Sequence, residues 1–462
     1  MKRILPSFPL LSFLIALAAL PAAGQGDAAG GERADRYRAW AEATPEPPDL
    51  RTMLVELARE ESPDLDAQAY VAGLVHLERE FETRRAGQPD PVLFLAGWGV
   101  HFFDDLGYRY EPAASPADFG RANHLPEVLA ARSGDLLGLA SVLLLLAEAN
   151  DYPLRPAVVG LHPFLRLETG GQTYNFDLAN RGEDSADADL EDRHSWTDEG
   201  RHGPARIRTL TRPEFVGFFL ALRARARIAA GRPELAREDL AGARLLFPGL
   251  AAGHAWMGDL LLESGDRDGA LAAYRAAIAA GTRAFAVHRK CAELLKEAGR
   301  LDEALAAYRS VLATSPRDSQ AYLGLASLLE AMGKFDEAIA EIDAYLRLAG
   351  DGESVPPEVV RWRAELAGRR ELDRLTPGSP FETRIEALAR LEAEASEEVA
   401  PQILPCLDDP NYRIRWAAAH ALRRIGGVDD ETFRRLGIDR KAWQAWWDEK
   451  RAGPGSPDSG RR

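Results

Sequence analysis

A glycine recurs every 34 residues through the middle of the chain, and this period constrains the fold more than any other feature of the sequence. The glycines are Gly231, Gly265, Gly299 and Gly333. Five residues after each stands an alanine, and four residues further a large apolar residue follows: Ala236, Ala270, Ala304 and Ala338, then Leu240, Tyr274, Tyr308 and Ile342. A glycine lets the chain reverse between two helices, and a small residue lets those helices approach closely. The period therefore predicts stacked helix pairs.

This pattern resembles the tetratricopeptide repeat family over residues 217–350. Pro248 and Pro316 close two of the units, and four units fit the segment. The first unit is atypical, because Arg223 and Arg227 occupy positions that are usually apolar. The resemblance implies an α-helical solenoid whose inner wall is lined by the first helix of each unit.

The predicted inner wall carries polar side chains of both charge signs. It has no cationic cluster, so the pattern does not indicate capture of a chain terminus. We expect the wall to bind a protein or peptide partner, and the alternative is a solvated surface. The predicted partner-binding residues are Asp259, Glu263, Arg289, Glu293, Lys296, Ser327 and Glu330.

The period stops after Leu348, and the glycines and prolines that follow predict a linker at 351–380. Beyond it, a helix, the turn Asp408-Asp409-Pro410 and the sequence RIRWAAAHALRRIG resemble one HEAT repeat. One repeat cannot bury its own apolar face, so we expect it to cap the array. Trp443, Trp446 and Trp447 share one helix face, which we expect to dock on these helices rather than form an aromatic ligand platform.

The first residues have the composition of a secretory signal. Lys2 and Arg3 precede an apolar run, Ile4–Leu20, and small residues follow up to Gly24. We expect cleavage near Gly24 and a periplasmic or secreted protein, with no integral membrane segment remaining. The next longest apolar stretch is too short to span a bilayer.

Composition excludes several classes of function. The 462 residues carry a formal net charge of −15, which argues against nucleic-acid binding. Two cysteines, Cys291 and Cys406, are too few for a disulfide scaffold and fall on apolar helix faces. His194 and His202 flank an acidic loop, but no further ligands stand at zinc-site spacing. We expect no metal and no cofactor.

The amino-terminal segment predicts a mixed α and β domain. A strongly apolar helix begins near Leu136, and strand-like runs follow at Arg155–Leu161, Phe164–Glu168 and Thr173–Asp177. The last two runs are joined by Gly170-Gly171, a hairpin signal.

The motifs ESPDLDAQAYVAGLVHLE, LFLAGWGVHFFDDLGY, NHLPEVLAARSG, HPFLRL and YNFDLANRG resemble the SirB-type proteins. Those are bacterial chains with a transglutaminase-like domain followed by tetratricopeptide repeats, and the resemblance covers residues 48–350. It implies an α+β, papain-like amino-terminal domain, then a helical solenoid ending in HEAT-like helices, so that the chain is mostly α.

The resemblance also implies where catalysis would occur. Active members of this fold use a cysteine at the start of the long helix, a strand histidine and an aspartate on the next strand. His162 and Asp177 match the histidine and the aspartate, but Leu136 stands at the nucleophile position and cannot attack a carbonyl carbon. Ser133 precedes the helix, and Ser141 points about 140° away from that position at ~100° per residue.

Three hypotheses follow from these residues. The first is an exported, non-catalytic scaffold or adaptor whose repeats bind a protein or peptide, with His162 and Asp177 as a vestigial pair. The second is a hydrolase or acyl transferase on peptide or cell-wall amides with an unrecognised nucleophile. The third is a peptide or small-ligand sensor that uses the vestigial cleft.

The domain boundaries predicted from the sequence are a signal peptide at 1–24, a linker and first helix at 25–47, a transglutaminase-like domain at 48–212, tetratricopeptide repeats at 213–350, a linker at 351–380, HEAT-like helices at 381–450 and a disordered tail at 451–462.

Overall fold

The structure is a computed structural model that describes residues 26–452, except for 44–46, 62, 116–117, 195, 198–199, 202–205, 283, 351–354 and 395–396. The predicted signal peptide therefore lies outside the described residues, as does the tail from residue 453. The chain divides into two compact units, Met1–Arg283 and Ala284–Arg462. Each unit is described by itself.

The first unit combines helices with short strands. Its helices are α1 (Gly26–Glu42), α2 (Leu50–Glu61), α3 (Ala67–Val71), α4 (Leu74–Gly87), α5 (Pro91–Val100), α6 (Phe119–Asn123), α7 (Leu125–Ala131), α8 (Leu136–Ala149), α9 (Asp187–Arg193), α10 (Arg212–Ala229), α11 (Pro233–Leu246), α12 (Ala251–Glu263) and α13 (Arg267–Ala279). Its strands are β1 (Arg109–Tyr110), β2 (Ser133–Gly134), β3 (Leu154–Val159), β4 (His162–Thr169), β5 (Gln172–Asp177), β6 (Glu183–Asp184), β7 (Trp196–Thr197), β8 (Gly200–Arg201) and β9 (Ile207–Thr209).

One antiparallel sheet, in the order β6-β5-β4-β3-β9, forms the centre of the amino-terminal part. The strands and the hairpin at Gly170-Gly171 are as predicted, and both glycines have the positive φ that a tight two-residue turn requires. The apolar helix α8 begins at Leu136, where the side chain of Asp135 accepts a hydrogen bond from the Leu136 amide. Nearly every residue of α8 is buried, so this helix supplies the core that covers the sheet.

The first two helix pairs of the repeats, α10 with α11 and α12 with α13, share a continuous apolar core with the sheet domain. A buried ion network adds to it. Arg223 of α10, 6% exposed, donates to Asp239 of α11 and to Glu60 of α2. Arg227 also pairs with Asp239, at 2.7 Å. The two arginines that make the first repeat atypical thus bind carboxylates from the repeat and from the amino-terminal helices.

The second unit is helical throughout its described residues. Its helices are α14 (Phe285–Glu297), α15 (Leu301–Thr314), α16 (Ser319–Ala331), α17 (Phe335–Ala349), α18 (Pro357–Asp373), α19 (Phe381–Glu394), α20 (Ala400–Ile403), α21 (Tyr412–Gly426), α22 (Asp430–Leu436) and α23 (Arg440–Ala452). The pairs α14/α15 and α16/α17 complete the four predicted helix pairs. The alanine and the large residue of every unit are fully buried, as the 34-residue pattern predicts.

The prediction of a linker at 351–380 is wrong for most of that segment. Residues 357–373 form α18, which begins with Pro357 in its first turn, where proline is favoured because that amide has no helical partner. Val359 and Leu366 are buried, and Arg363 pairs with Asp343 of α17. The sequence signal was misleading because paired prolines mark a helix start as well as a linker.

The carboxyl-terminal helices pack around their own apolar core. Trp443 and Trp447 are 0% and 2% exposed within it, which confirms that this helix face docks on the preceding helices. Lys450 and the rest of α23 continue to Ala452, so the first two residues of the predicted tail are helical. No helix in the described part of the chain is both long and apolar enough to cross a membrane.

The glycines that end the first helix of each pair require their conformation. Gly299 has φ +73° with open space around it, so Gly299→Ala is expected to lower the free energy of unfolding by about 1–2 kcal/mol through backbone strain alone. Gly368 lies within α18, where a Cβ atom would make an ordinary contact, and Gly368→Ala should raise it by about 1 kcal/mol. Urea unfolding of both variants tests this, and equal shifts of the same sign would contradict it.

Candidate functional site

Two neighbouring strands bring the predicted histidine and aspartate together. His162 begins β4 and Asp177 ends β5, which places both at the open end of one hairpin. The His162 Nε2 atom lies 3.1 Å from Asp177 Oδ1, and the side chains are 11% and 1% exposed. Asp177 Oδ1 also accepts from the Ala179 amide at 3.1 Å. The pair predicted from the sequence is therefore formed and largely buried.

Two further residues join the pair from the end of α9. The ring of His194 stacks on His162 with 4.0 Å between centroids and 13° between planes. Arg193 Nη1 lies 3.4 Å from Asp177 Oδ2. The sequence singled out His194 only as a possible zinc ligand beside His202, which lies outside the described residues. No local pattern could indicate the stacking, because it depends on how the segment after β6 folds back.

The environment of this cluster shifts two ionisation equilibria. Burial acts to raise the pKa of Asp177, but the hydrogen bond and charge of His162, the Ala179 amide and Arg193 outweigh it and lower that pKa. Burial lowers the pKa of His194 to about 4, and the charge of His162 lowers it further against the opposing charge of Asp177. His194 is therefore neutral at pH 7, and Asp177 is ionised.

The lowered pKa of His194 predicts how stability depends on pH. The unfolded chain binds a proton at His194 near pH 6.5 but the folded chain only near pH 4, so this group makes the free energy of unfolding fall as pH drops from 6.5 to about 4. His162→Gln removes one cause of the shift, and the His194 pKa should rise. Proton NMR titration of His194 in both proteins measures this, and an unchanged or lower value in the variant would contradict the prediction.

The start of α8 faces the same region. Burial raises the pKa of the Tyr110 hydroxyl, and the charges of Asp135 and Asp177 raise it further. Both carboxylates thus lie within electrostatic range of one hydroxyl, which brings the amino end of α8 near the His162–Asp177 pair. Leu136, the first residue of α8, is 8% exposed. Tyr110 and Asp135 were not singled out by the sequence, because neither fits a motif.

The alternative nucleophiles are engaged or buried. Ser141 is 2% exposed, and its hydroxyl donates to the Leu137 carbonyl one helical turn earlier, at 2.7 Å. Ser133 lies in β2, where it pairs with Arg109. Both cysteines belong to the second unit and are buried, and burial raises the pKa of Cys406. A raised thiol pKa disfavours the reactive thiolate.

In the first unit, the predicted partner-binding residues lie on α12. Asp259 is half-buried and accepts a hydrogen bond from the Tyr274 hydroxyl at 2.6 Å, so part of its acceptor capacity is used inside the repeat. Glu263, at the end of α12, is exposed.

In the second unit, the predicted residues join neighbouring repeats. Lys296 Nζ of α14 donates to Ser327 Oγ of α16 at 3.0 Å. Glu330 of α16 accepts from the indole of Trp362 at 2.8 Å and pairs with Arg369, both of α18. The inner faces of α14, α16 and α18 are therefore adjacent and polar. The sequence missed the contribution of α18, because that helix falls outside the 34-residue period.

One hydroxyl of this face differs from its counterpart in the first unit. Tyr308 stands 34 residues after Tyr274, and Glu293 stands 34 residues after Asp259. The Tyr308 hydroxyl is buried and makes no hydrogen bond with any described residue. Burial raises its pKa, the charge of Glu293 raises it further, and Arg289 opposes them. Arg289 itself lies 3.5 Å from Asp318.

This difference predicts opposite results from the same substitution. Tyr274→Phe removes a satisfied hydrogen bond and leaves Asp259 without that donor, so the free energy of unfolding should fall by about 1 kcal/mol. Tyr308→Phe removes a buried hydroxyl that has no partner, so it should leave that free energy unchanged or raise it. Urea unfolding of both variants compares them, and a larger loss for Tyr308→Phe would refute the prediction.

The fold and the polar face define a class of protein: the chain is mostly helical and carries tetratricopeptide-type repeats. A sequence profile of the tetratricopeptide repeat family matches residues 295–355. A comparison with curated protein sequences finds no match.

Several solved structures are similar to part of the chain. A crystal structure of MamA shares 22% identity over 29% of this chain and 79% of its own, with a TM-score of 0.28. YrrB, described as a TPR protein with an unusual peptide-binding site, shares 16% over 44% and 90%, with a TM-score of 0.30. PilF of Pseudomonas aeruginosa shares 20% over 52% and 100%, with a TM-score of 0.30. Scores of this size carry no argument about function.

Proposed function

We propose that the protein is a non-enzymatic scaffold or adaptor that binds a protein or peptide through the inner face of its repeats. The observation that supports this most directly is the adjacency of α14, α16 and α18, joined by Lys296, Ser327, Glu330 and Trp362. Their side chains are half-exposed and alternate in charge, which suits an extended peptide that offers both amides and charged groups.

The structure also provides free binding capacity on this face. Glu293 is exposed and makes no ion pair with any described residue, although its charge reaches the Tyr308 hydroxyl. A peptide donor would pair with Glu293, and a peptide carbonyl would satisfy the hydroxyl that now lacks a partner. Binding would thus convert an unfavourable feature of the free protein into a contact.

A displayed library of random short peptides, selected on the full chain, tests this proposal. The best peptide, labelled with fluorescein, is then titrated with native protein and with the double variant Arg289→Glu, Lys296→Glu. Reversing two charges at the centre of the face should weaken binding at least tenfold, about 1.4 kcal/mol. Arg309→Glu, an exposed position on α15, is the matched control and should bind like the native protein.

Two outcomes would reject the repeat face as the binding element. One is a selected peptide that binds the double variant as tightly as the native protein. The other is an equal loss for the double variant and for Arg309→Glu, which would indicate a nonspecific effect of net charge.

The finer part of the proposal is that the amino-terminal domain is a degenerate transglutaminase-like module. The His162–Asp177 pair, the helix that begins at Leu136 and the shared influence of Asp135 and Asp177 on Tyr110 support it. The competing hypotheses are a hydrolase or acyl transferase with another nucleophile, and a sensor that binds a ligand in this cleft.

Installing the missing thiol distinguishes these hypotheses. Leu136→Cys should react with a thiol probe faster than Leu137→Cys, a buried control one residue further along α8. Turnover of generic amide substrates by the native protein would reject the scaffold hypothesis. Equal reactivity of the two cysteines would reject the transglutaminase-like arrangement.

Export remains part of the proposal and rests on the composition of residues 1–24. Expression of the full chain in a bacterium, followed by fractionation and mass measurement of the mature chain, tests it. A chain that keeps its first residues and stays in the cytoplasm would reject export without affecting the binding proposal.

A further inference from the structure

Helix α21 exposes two large aromatic side chains next to each other. Tyr412 and Trp416 are 55% and 41% exposed. Their rings are nearly parallel, with 13° between planes and 6.1 Å between centroids. His420 meets Trp416 edge-on, one turn further along. Single exposed apolar residues are ordinary on a protein surface, but an aligned aromatic row marks an interaction surface.

The charges around this aromatic row are all of one sign. Helix α21 contains four arginines and no acidic residue, in a chain whose net charge is −15. Arg413 lies over the ring of Phe381 at 5.1 Å, and Arg415 lies over Tyr412 at 5.5 Å. Among the described residues neither guanidinium pairs with a carboxylate, whereas Arg423 pairs with Asp430.

Helix geometry places these groups on one surface. Residues four apart lie about 40° from each other around a helix, so Tyr412, Trp416 and His420 form one stripe. Arg413 falls on one side of the stripe and Arg415 on the other. Arg415 is fixed by hydrogen bonds to the carbonyls of Asp409 and Pro410, at 2.6 and 3.1 Å. An aromatic row lies between two guanidinium groups, one of them fixed in place.

We propose that this surface of α21 docks an acidic peptide segment of another protein, in which carboxylates flank a large apolar side chain. The apolar side chain would cover Tyr412 and Trp416, and the carboxylates would pair with Arg413 and Arg415. Carboxylates match the planar guanidinium group in two parallel hydrogen bonds, and desolvated aromatic and arginine side chains dominate binding energy at interfaces. Nucleic acid is a poorer match, because a chain of this net charge repels phosphate.

The surface is separate from the inner face of the repeats, so it can be tested independently. A short fluorescein-labelled peptide of glutamate, leucine and phenylalanine is titrated with the full chain at low and high salt. Peptides with lysine or glutamine in place of glutamate serve as ligand controls. The acidic peptide should bind, the lysine peptide should not, and salt should weaken binding because the contacts are exposed.

Three variants locate the binding. Trp416→Ala, and separately the pair Arg413→Glu and Arg415→Glu, should each weaken binding at least tenfold, about 1.4 kcal/mol. Val360→Ala removes another exposed apolar side chain, 50% exposed on α18, and should have no effect. Because Arg413 is exposed, Arg413→Glu alone keeps a folded protein available for comparison.

Each contrary outcome overturns the inference. The native protein may not exceed background with the acidic peptide, or it may bind the glutamine peptide equally well. If the double variant Arg289→Glu, Lys296→Glu loses the acidic peptide and Trp416→Ala retains it, the peptide binds the repeats and not α21. Binding of single-stranded oligothymidylate that Trp416→Ala abolishes, without acidic-peptide binding, would assign the surface to another ligand.

Discussion

Replacing Arg223 by methionine is expected to lower the free energy of unfolding by about 3–5 kcal/mol, the usual consequence of removing one member of a buried ion network. The guanidinium of Arg223 lies between Asp239 and Glu60, and the side chains of these carboxylates are 2% and 3% exposed. Methionine fills the space of the aliphatic stem but leaves two buried carboxylates without that cation. Urea unfolding followed by circular dichroism measures the loss.

An exposed ion pair of the same unit is the matched control. Arg38 pairs with Asp35 while 53% of its side chain remains exposed, so Arg38→Met should change the free energy of unfolding by less than about 1 kcal/mol. Equal effects of the two methionine substitutions would refute the buried network as a source of stability.

The network also predicts a dependence on pH. Burial acts to raise the pKa of Glu60, but the charge of Arg223 and the hydrogen bonds from Tyr37 and Arg223 outweigh it and lower that pKa. A lowered carboxyl pKa contributes stability above its ordinary value of 4.5, and that contribution is lost as pH falls through the folded pKa. Arg223→Met should therefore weaken this acid dependence, and an unchanged pH profile would argue against the assignment.

Trp443→Ala is expected to lower the free energy of unfolding by about 3–5 kcal/mol, because it removes a large side chain from a core that cannot collapse fully around the cavity. Trp443 is fully buried, and its indole donates to the Gly437 carbonyl at 3.0 Å. The substitution therefore removes apolar contacts and leaves a carbonyl without its donor. Thermal or urea unfolding measures the effect.

The same unit offers a tryptophan on its surface for comparison. Trp416 is 41% exposed, so Trp416→Ala should cost less than about 1 kcal/mol. A loss for Trp416→Ala as large as that for Trp443→Ala would mean that the aromatic row of α21 is part of the core, and would also remove the basis for proposing it as a docking surface.

The repeats could be predicted because their pattern is local. Each 34-residue unit states its turn, its close contact and its groove filler within a few residues, and Ala270 and Tyr274 are fully buried as that pattern requires. The hairpin at Gly170-Gly171 was predictable for the same reason, since two adjacent glycines favour a tight turn. The pairing of His162 with Asp177 followed from a family resemblance and not from spacing.

The features that escaped prediction depend on residues far apart in sequence. Nothing near Arg223 indicates that Glu60 will be its partner, because the contact spans 163 residues. His194 stacks on His162 only because α9 folds back over the sheet. Helix α18 was missed because it continues the inner face without continuing the 34-residue period, so its packing partners and not its own sequence identify its role.

The span of the Arg223–Glu60 contact also bears on how the protein is made. Ribosomes add roughly 5–20 residues per second, so Glu60 is synthesised roughly 10–30 s before Arg223. Over that interval the carboxylate has no arginine of α10 to pair with, and withdrawing it from water is unfavourable. The nascent amino-terminal helices are thus expected to stay solvated until the first repeat has been translated, which makes that repeat the segment whose synthesis permits the first unit to close.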